Sequence, residues 1–305
     1  MTCTITTYTI AALYRFTPIA DAPALRATLK DSFTLLGICG SLLIAPEGIN
    51  GTLAGSAEAI DSMLALLCET TGLSRSEVKF STSPFKPFDR LKVRLKKEII
   101  TFNQPDADPN QRVGTYVEAK DWNALISNPD VTVLDTRNTY ETMVGTFEGA
   151  IDPKIEQFTD FAEFVAKTLD PNKHSKIAMY CTGGIRCEKA SAYMLAQGFA
   201  EVYHLKGGIL KYLEEVPQGQ SKWNGECYVF DRRMAVGHGL STGQHAMCFS
   251  CGYALNEADQ HHALYEAGVS CHHCHATTSD ADKTRFRMRH TQMTSCQKAG
   301  SQKAG

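Results

Sequence analysis

Residues 177–191 read Ile-Ala-Met-Tyr-Cys-Thr-Gly-Gly-Ile-Arg-Cys-Glu-Lys-Ala-Ser. The apolar run Ile177 to Tyr180 predicts a short strand that delivers Cys181 into a glycine-containing turn. The turn closes at Arg186, and a helix is predicted over Glu188 to Gln197. A thiol held there faces several backbone N–H groups and the positive end of a helix, and both favour the reactive thiolate. Glycine lets the backbone curl so that its amides converge, and Arg186 adds a fixed positive charge. A cysteine that merely fills a core needs none of these neighbours. Cys181 is therefore the candidate nucleophile and Arg186 its partner, with Thr182, Gly183, Gly184 and Ile185 as the loop. Cys187 has two readings: a resolving thiol for Cys181, or a small residue packed under the first turn of the helix.

The surrounding motifs resemble rhodanese domains over about residues 113–215. Upstream, Val131 to Glu141 matches a strand ending in Asp-x-Arg followed by a glutamate, and Gly145 to Ile151 matches the next turn. Downstream, Gly198 to Ile209 matches the last strand and its Gly-Gly turn. The resemblance implies a parallel-sheet domain in which Asp135, Arg137 and Glu141 brace the loop. Dual-specificity phosphatases place one more residue between cysteine and arginine, so the shorter loop here suits a single sulfur or small group. His204 lies in an apolar strand and reads as a satisfied core histidine.

Residues before this region read as an alternating α/β unit. Strands are predicted at Tyr8–Phe16, Ser41–Ala45, Gly51–Gly55, Val78–Phe80 and Leu91–Leu95, with helices at Ala22–Leu36 and Ala57–Glu69. The order βαββαβ predicts a ferredoxin-like domain over residues 1–102. Pro46-Glu47-Gly48-Ile49-Asn50-Gly51-Thr52 reads either as an Asn-Gly turn or as a functional loop. Lys86, Arg90, Lys92, Arg94 and Lys96 follow Phe85 and surround Phe88; Lys92, Arg94 and Lys96 share one face of a strand. That stripe suits RNA phosphates and an unstacked base, or else is a solvated sheet face. Residues 103–113 are polar with two prolines and predict a linker to a domain over 114–216.

Beyond it, Trp223 to Val236 predicts a strand or hairpin. Cys248-Phe-Ser-Cys251 and Cys271-His-His-Cys274 are separated by nineteen residues. Four thiolates so spaced predict a closed structural zinc site in a small module over 217–290, the alternative being two redox-active dithiols. The neighbouring histidines, His245, His261, His262, His272, His273 and His275, read as surface residues. Arg285, Arg287 and Arg289 alternate with Phe286 and Met288 in a stretch compatible with nucleic-acid contact, and 291–305 reads as a flexible basic tail.

At 305 residues the chain has room for two or three domains. No apolar run approaches the roughly 20 residues that span a bilayer, and the first residues lack the order of a secretory signal. Eleven cysteines suggest a disulfide scaffold, but one sits in the nucleophile loop and four form Cys-x-x-Cys pairs. That pattern predicts a cytoplasmic protein. The formal charge of −2 is uneven: +1 over residues 1–112, −5 over 113–215 and +2 over 216–305. A polyanion would be held by the flanking regions.

Over roughly residues 5–290 the chain resembles the bacterial rhodanese-type tRNA uridine(34) hydroxylases. The match rests on Pro46 to Thr52, Phe85 to Lys97, Val113 to Val117, Asp135 to Glu141, Cys181 to Cys187 and the paired cysteines. It implies oxygen-dependent conversion of the wobble uridine to 5-hydroxyuridine, with Cys181 catalytic, molecular oxygen as co-substrate and the tRNA anticodon loop as partner. The residues themselves support a reactive thiolate in a possible RNA-binding setting. No flavin or nicotinamide fingerprint, iron triad or protein-partner motif is evident. Two openings of the reaction are consistent with such a thiol: addition of Cys181 to carbon 6 of uracil, or a Cys181 persulfide. The rival functions are an ordinary thiosulfate sulfurtransferase and a non-catalytic RNA-binding scaffold.

Overall fold

The computed structural model describes residues 7–302, with side chains described through residue 292. Its first layer follows from strict alternation in β1 (Tyr8–Phe16): Ala11 and Leu13 are buried against helices, while Ala12 and Tyr14 turn to the opposite face. Helix α1 (Ala22–Leu35) starts at the Asp21 cap, whose side chain accepts from the Ala24 amide at 2.9 Å. Strands β2 (Cys39–Ala45) and β3 (Gly48–Gly55) form a hairpin, and α2 (Ala57–Thr71) ends at Gly72 in the left-handed region. Strands β4 (Lys79–Ser83) and β5 (Leu91–Leu95) complete a sheet of order β4-β1-β3-β2-β5. The first four strands have the antiparallel order expected of the ferredoxin-like fold; β5 joins parallel to β2 as an extra edge.

The Asn50-Gly51 pair is not the hairpin turn. Ala45 pairs with Gly48, so the turn is Pro46-Glu47 and Asn50 lies inside β3. Glu47 and Asn50 have another use. The Glu47 carboxylate accepts from the Ile99 amide at 2.7 Å, and Asn50 donates to the Ile99 carbonyl at 2.9 Å.

The second layer is a four-stranded parallel sheet of order β6-β10-β9-β7, built from β6 (Thr115–Val117), β7 (Val131–Asp135), β9 (Lys176–Tyr180) and β10 (Glu201–Leu205). Helices α3 (Ala119–Ile126), α4 (Thr139–Thr142), α5 (Phe161–Thr168), α6 (Ile185–Ala196) and α7 (Gly208–Glu215) surround it, and β8 (Gly145–Phe147) follows α4. This is the expected rhodanese-like arrangement. His204 is buried with Nε2 3.2 Å from the Gly114 carbonyl, and burial lowers its pKa to about 4. It is the core histidine expected.

Both outer boundaries differ from expectation. Strand β11 (Trp223–Gly225) pairs with β8, and β12 (Cys227–Tyr228) pairs with β13 (Ala235–Val236). Trp223, Cys227, Val229, Val236 and Leu240 are buried in one cluster with Trp122, Val133 and Tyr180. Residues 217–240 thus complete the parallel-sheet core instead of belonging to a separate module, because that core leaves the Phe147 side open until Trp223 covers it. Phe102 likewise crosses the expected linker and stacks on Phe158 with centroids 4.5 Å apart.

The small C-terminal unit comprises β14 (Ala246–Met247), β15 (Ala254–Leu255), α8 (Glu257–Gln260) and α9 (Asp280–Gln302). The stretch 291–305, expected as a flexible basic tail, is helical through Gln302. Its lysine, glutamine and alanine are good helix formers and simply extend α9; residues 303–305 lie outside the described chain.

Candidate active site

The loop after β9 adopts its shape because α7 accepts the task of satisfying its carbonyls. The Ile209 and Leu210 amides donate to the Cys181 and Thr182 carbonyls, both at 3.0 Å. With those oxygens turned to α7, the loop amides turn inward, and the Gly184 amide donates to Cys181 Sγ at 3.1 Å. Two glycines permit this approach. Gly184 has φ +103° and a Cβ there would lie 2.8 Å from the Tyr14 hydroxyl; a Cβ on Gly208, at φ +68°, would lie 2.5 Å from the Cys181 carbonyl.

Cys181 is buried, yet it lines a cavity of about 430 Å³. Burial alone would raise its pKa, but a hydrogen bond from Cys187, the Arg186 charge and the Cys187 and Gly184 amides lower it to about 5. Cys187 is the other half of this pair. It is buried beside Cys181 and 3.6 Å from Thr136 Oγ1, and burial together with the Cys181 charge pushes its pKa up. The structure therefore brings the two thiols together, with Cys187 as the proton-holding member.

Arg186 does not present a free charge. Its guanidinium makes two hydrogen bonds to Glu141, at 2.6 and 2.7 Å, and Glu141 also accepts from Thr182 Oγ1 at 3.1 Å. Arg137 grips Asp135 and donates to the Gly145 carbonyl at 2.6 Å, tying β7 to the turn at β8. Both carboxylate–arginine pairs are buried braces.

The cavity is walled by three parts of the chain. The floor is the Cys181 loop with Tyr140. The roof is the helix-free face of the N-terminal sheet, including Tyr14, Asn50, Thr52 and Lys79, and Phe230 and Arg233 close one side. Asn50, Thr52 and Tyr140 lie in motifs singled out in the sequence, whereas Tyr14, Lys79, Phe230 and Arg233 did not stand out, because they come together only through folding. A lone lysine between Val78 and Phe80 was the one available signal. Tyr14 and Tyr116 both donate to the buried Glu188 of α6, at 2.8 and 2.7 Å, and Lys189 reaches Glu47 at 2.9 Å, so roof and floor are bonded together.

The basic residues of β5 continue the roof. Lys92 registers with Ser41 and Arg94 with Leu43, and Ser41 and Leu43 line the cavity. Side chains at paired positions share a face, so exposed Lys92 and Arg94 extend the cavity face to the sheet edge. Lys96 follows the strand; Lys86 and Arg90 are exposed in the preceding loop. The C-terminal arginines are engaged locally: Arg285 with Asp282, Arg287 with Glu266, and Arg289 with the Phe249 carbonyl.

The Cys248, Cys251, Cys271 and Cys274 sulfurs lie within 4.8 Å of one another. Separations of 3.7, 3.8 and 3.9 Å match the ~3.8 Å edge of a tetrahedron with metal–sulfur bonds of ~2.3 Å. The four thiols can hold a metal ion. Of the nearby histidines, His261, His262 and His273 are exposed, whereas His245, His272 and His275 are half-buried. The His272 ring lies 3.9 Å from that of His273, which stacks on Tyr253 at 4.2 Å.

Residues 8–99 match the model of the UPF0176 acylphosphatase-like domain, and residues 118–215 match that of the rhodanese-like domain. Relatives named tRNA uridine(34) hydroxylase cover nearly the whole chain. One from Picosynechococcus sp. is 48% identical over 95% of this chain and 98% of its own length. One from Deinococcus radiodurans is 53% identical over 92% and 93%, and one from Rhizobium etli is 50% identical over 98% and 96%.

Proposed function

This chain belongs to the tRNA uridine(34) hydroxylase family, and we propose that it converts the wobble uridine of tRNA to 5-hydroxyuridine with Cys181 as nucleophile. The observation that carries the reading is a thiolate-favouring cysteine in a cavity walled by three parts of the chain, with a cationic sheet face leading to it. The anticodon loop is the substrate segment this suits. A wobble base is unpaired there and can be turned out of its stack at small cost. Lys92, Arg94 and Lys96 would hold the phosphates flanking it, with Lys86 and Arg90 beyond them.

Within the cavity, the Cys181 thiolate adds to carbon 6 of the uracil ring. The ring then carries negative charge on carbon 5 and O4, and carbon 5 becomes the nucleophile toward molecular oxygen, the co-substrate. One oxygen atom stays on carbon 5, and the other leaves as water with two electrons and two protons from a thiol reductant. Loss of the carbon 5 proton restores the C5=C6 bond and expels the Cys181 thiolate. Arg186 and Glu141 hold the loop in shape during this addition, and Cys187 keeps its proton against the sulfur. The four C-terminal cysteines fit zinc by number, donor type and spacing. A closed sulfur shell would organise the module and leave no open position for substrate. No described helix is long and apolar enough to cross a membrane, and the reduced thiols and tRNA substrate fit the cytoplasm.

The test is nucleoside analysis of tRNA from cells with and without the gene, complemented by the wild-type or Cys181→Ser chain. Loss of 5-hydroxyuridine and its derivatives, restored by wild type alone, supports the assignment. Unchanged tRNA with strong thiosulfate:cyanide activity would select the sulfurtransferase instead.

A further inference from the structure

Three cationic side chains face the cavity: Lys79, Arg186 and Arg233. Two of them are already neutralised. Arg186 is held bidentately by Glu141, and Arg233 by Asp231 at 2.9 and 2.6 Å, with a further bond to Ser81 at 2.8 Å. Lys79 is buried but makes no ion pair among the described residues. Its ammonium sits 4.6 Å from the centre of the Tyr14 ring, whose hydroxyl packs over Gly184 of the Cys181 loop. Register accounts for this placement. Lys79 pairs with Ala12, so it shares the face of Ala12 and Tyr14, which is the cavity face.

A buried lysine without a direct ion pair is costly. Cys181, Glu188 and Glu77, none within ion-pair distance, offset part of that cost, and the ammonium is suited to meet a negative charge that develops during the reaction. The addition described above creates such a charge. Sulfur bonds to carbon 6, the C5=C6 pair shifts toward C4, and the C4=O4 pair becomes a lone pair on O4. We infer that Lys79 is a catalytic residue contributed by the N-terminal sheet, placed to donate its proton to O4 as Cys181 adds and to take it back when the ring regains its carbonyl. The step moves one proton from nitrogen to oxygen and back, and needs no oxidant or reductant. The inference rests on the proposed hydroxylase reading and deepens it: the sheet that admits the RNA would also supply the acid.

The groups that face Lys79 are Tyr14 from β1, Glu77 from the turn before β4, Cys181 and Glu188 from the loop and α6, and Lys211 from α7. Burial lowers the Lys79 pKa to about 8, against the opposing pull of Cys181, Glu188 and Glu77. An acid with that value is protonated at neutral pH and readily gives the proton up.

The experiment compares wild type with Lys79→Met and Lys79→Arg, measuring 5-hydroxyuridine formation on tRNA against pH, tRNA affinity, and the pH dependence of Cys181 alkylation. The expected wild-type rate falls as pH rises through about 8. Lys79→Met should lose about 100-fold or more in kcat, the scale of a missing proton donor, while tRNA affinity stays within about threefold. Lys79→Arg keeps the charge but cannot release a proton, with a pKa above ~12, so it should stay nearly as slow as Lys79→Met and show no falling limb near pH 8. Recovery of most of the rate by arginine would overturn the proton-donor role. Cys181 alkylation in Lys79→Met should keep a midpoint below the ordinary thiol range, moved upward by loss of the facing ammonium, which shows an intact loop. A Lys79→Met chain with wild-type kcat, or one that loses rate only in proportion to tRNA affinity, would overturn the assignment. If wild type itself makes no product in this assay, the hydroxylase reading falls and the Lys79 role falls with it.

Discussion

Arg186 and Glu141 face each other through paired hydrogen bonds of 2.6 and 2.7 Å in a site with almost no solvent. The arginine that completes the cysteine loop is therefore a brace whose charge is balanced, and the carboxylate that balances it comes from the far side of the loop. The same Glu141 accepts from Thr182, so one carboxylate fixes both ends of the turn that holds Cys181.

Glu141→Gln keeps the shape and removes the charge, leaving Arg186 buried and unbalanced. Breaking a buried pair in this way costs about 3–5 kcal/mol. Denaturant unfolding should show a loss on that scale, and a loss below 1 kcal/mol would mean the pair is solvated in solution.

Cys181 is an acid whose pKa is depressed in the folded protein, to about 5. Its thiolate is therefore present at neutral pH and lost as pH falls through that value. Iodoacetamide alkylation followed by mass spectrometry should give a midpoint near 5. Cys187→Ala removes the hydrogen bond that helps hold the charge, so the midpoint should move upward. An unmoved midpoint would remove Cys187 from the account.

Tyr14→Phe and Tyr116→Phe each delete one hydrogen bond to buried Glu188, whose pKa is raised, with desolvation outweighing the tyrosine bonds. Each should cost roughly 1–3 kcal/mol, the range for leaving a buried acceptor short of a partner. The pair should act non-additively in a double-mutant cycle because they share one carboxylate. Independent, additive losses would argue that the two hydroxyls do not share that carboxylate in solution.

Trp223 tests the boundary of the parallel-sheet core. Trp223→Ala should destabilise that core by about 3–5 kcal/mol, because the ring packs on Phe147 with centroids 5.0 Å apart and lies under the Arg137 guanidinium. If residues 217–240 were instead an independent module, unfolding would split into two transitions.

Elemental analysis should find one zinc per chain, and Cys271→Ser should release it. Stripping the metal with a strong chelator should loosen residues 246–292 in hydrogen exchange. Cys181 alkylation should be unaffected, since the metal cluster and the cavity share no residue.

The cysteine loop was legible in the sequence because it is a contiguous motif shaped by local backbone geometry, and the paired cysteines because each Cys-x-x-Cys is. The brace at Glu141, which meets Arg186 across 45 residues, was implied only by the resemblance to rhodanese domains. Asn50-Gly51 misled as a turn signal. In the structure the turn falls at Pro46-Glu47, where a two-residue connection suffices, and Asn50 is spent on Ile99. The roof was not legible. Tyr14, Thr52 and Lys79 lie on three strands, and only the register of the sheet sets them side by side. Nor could the sequence distinguish a separate C-terminal module from a strand completing the core, because Trp223 has no patterned neighbours to show what it covers.

The sulfur's own setting and most of the surface above it come from different stretches of the chain. Residues 135–187 hold the sulfur, its brace and its companion thiol, while the surfaces that a base would touch overhead and alongside come from residues 10–88 and 229–240. Changes to canopy residues other than Lys79 and Tyr14 would thus alter which nucleotide is admitted while leaving the sulfur's own loop intact.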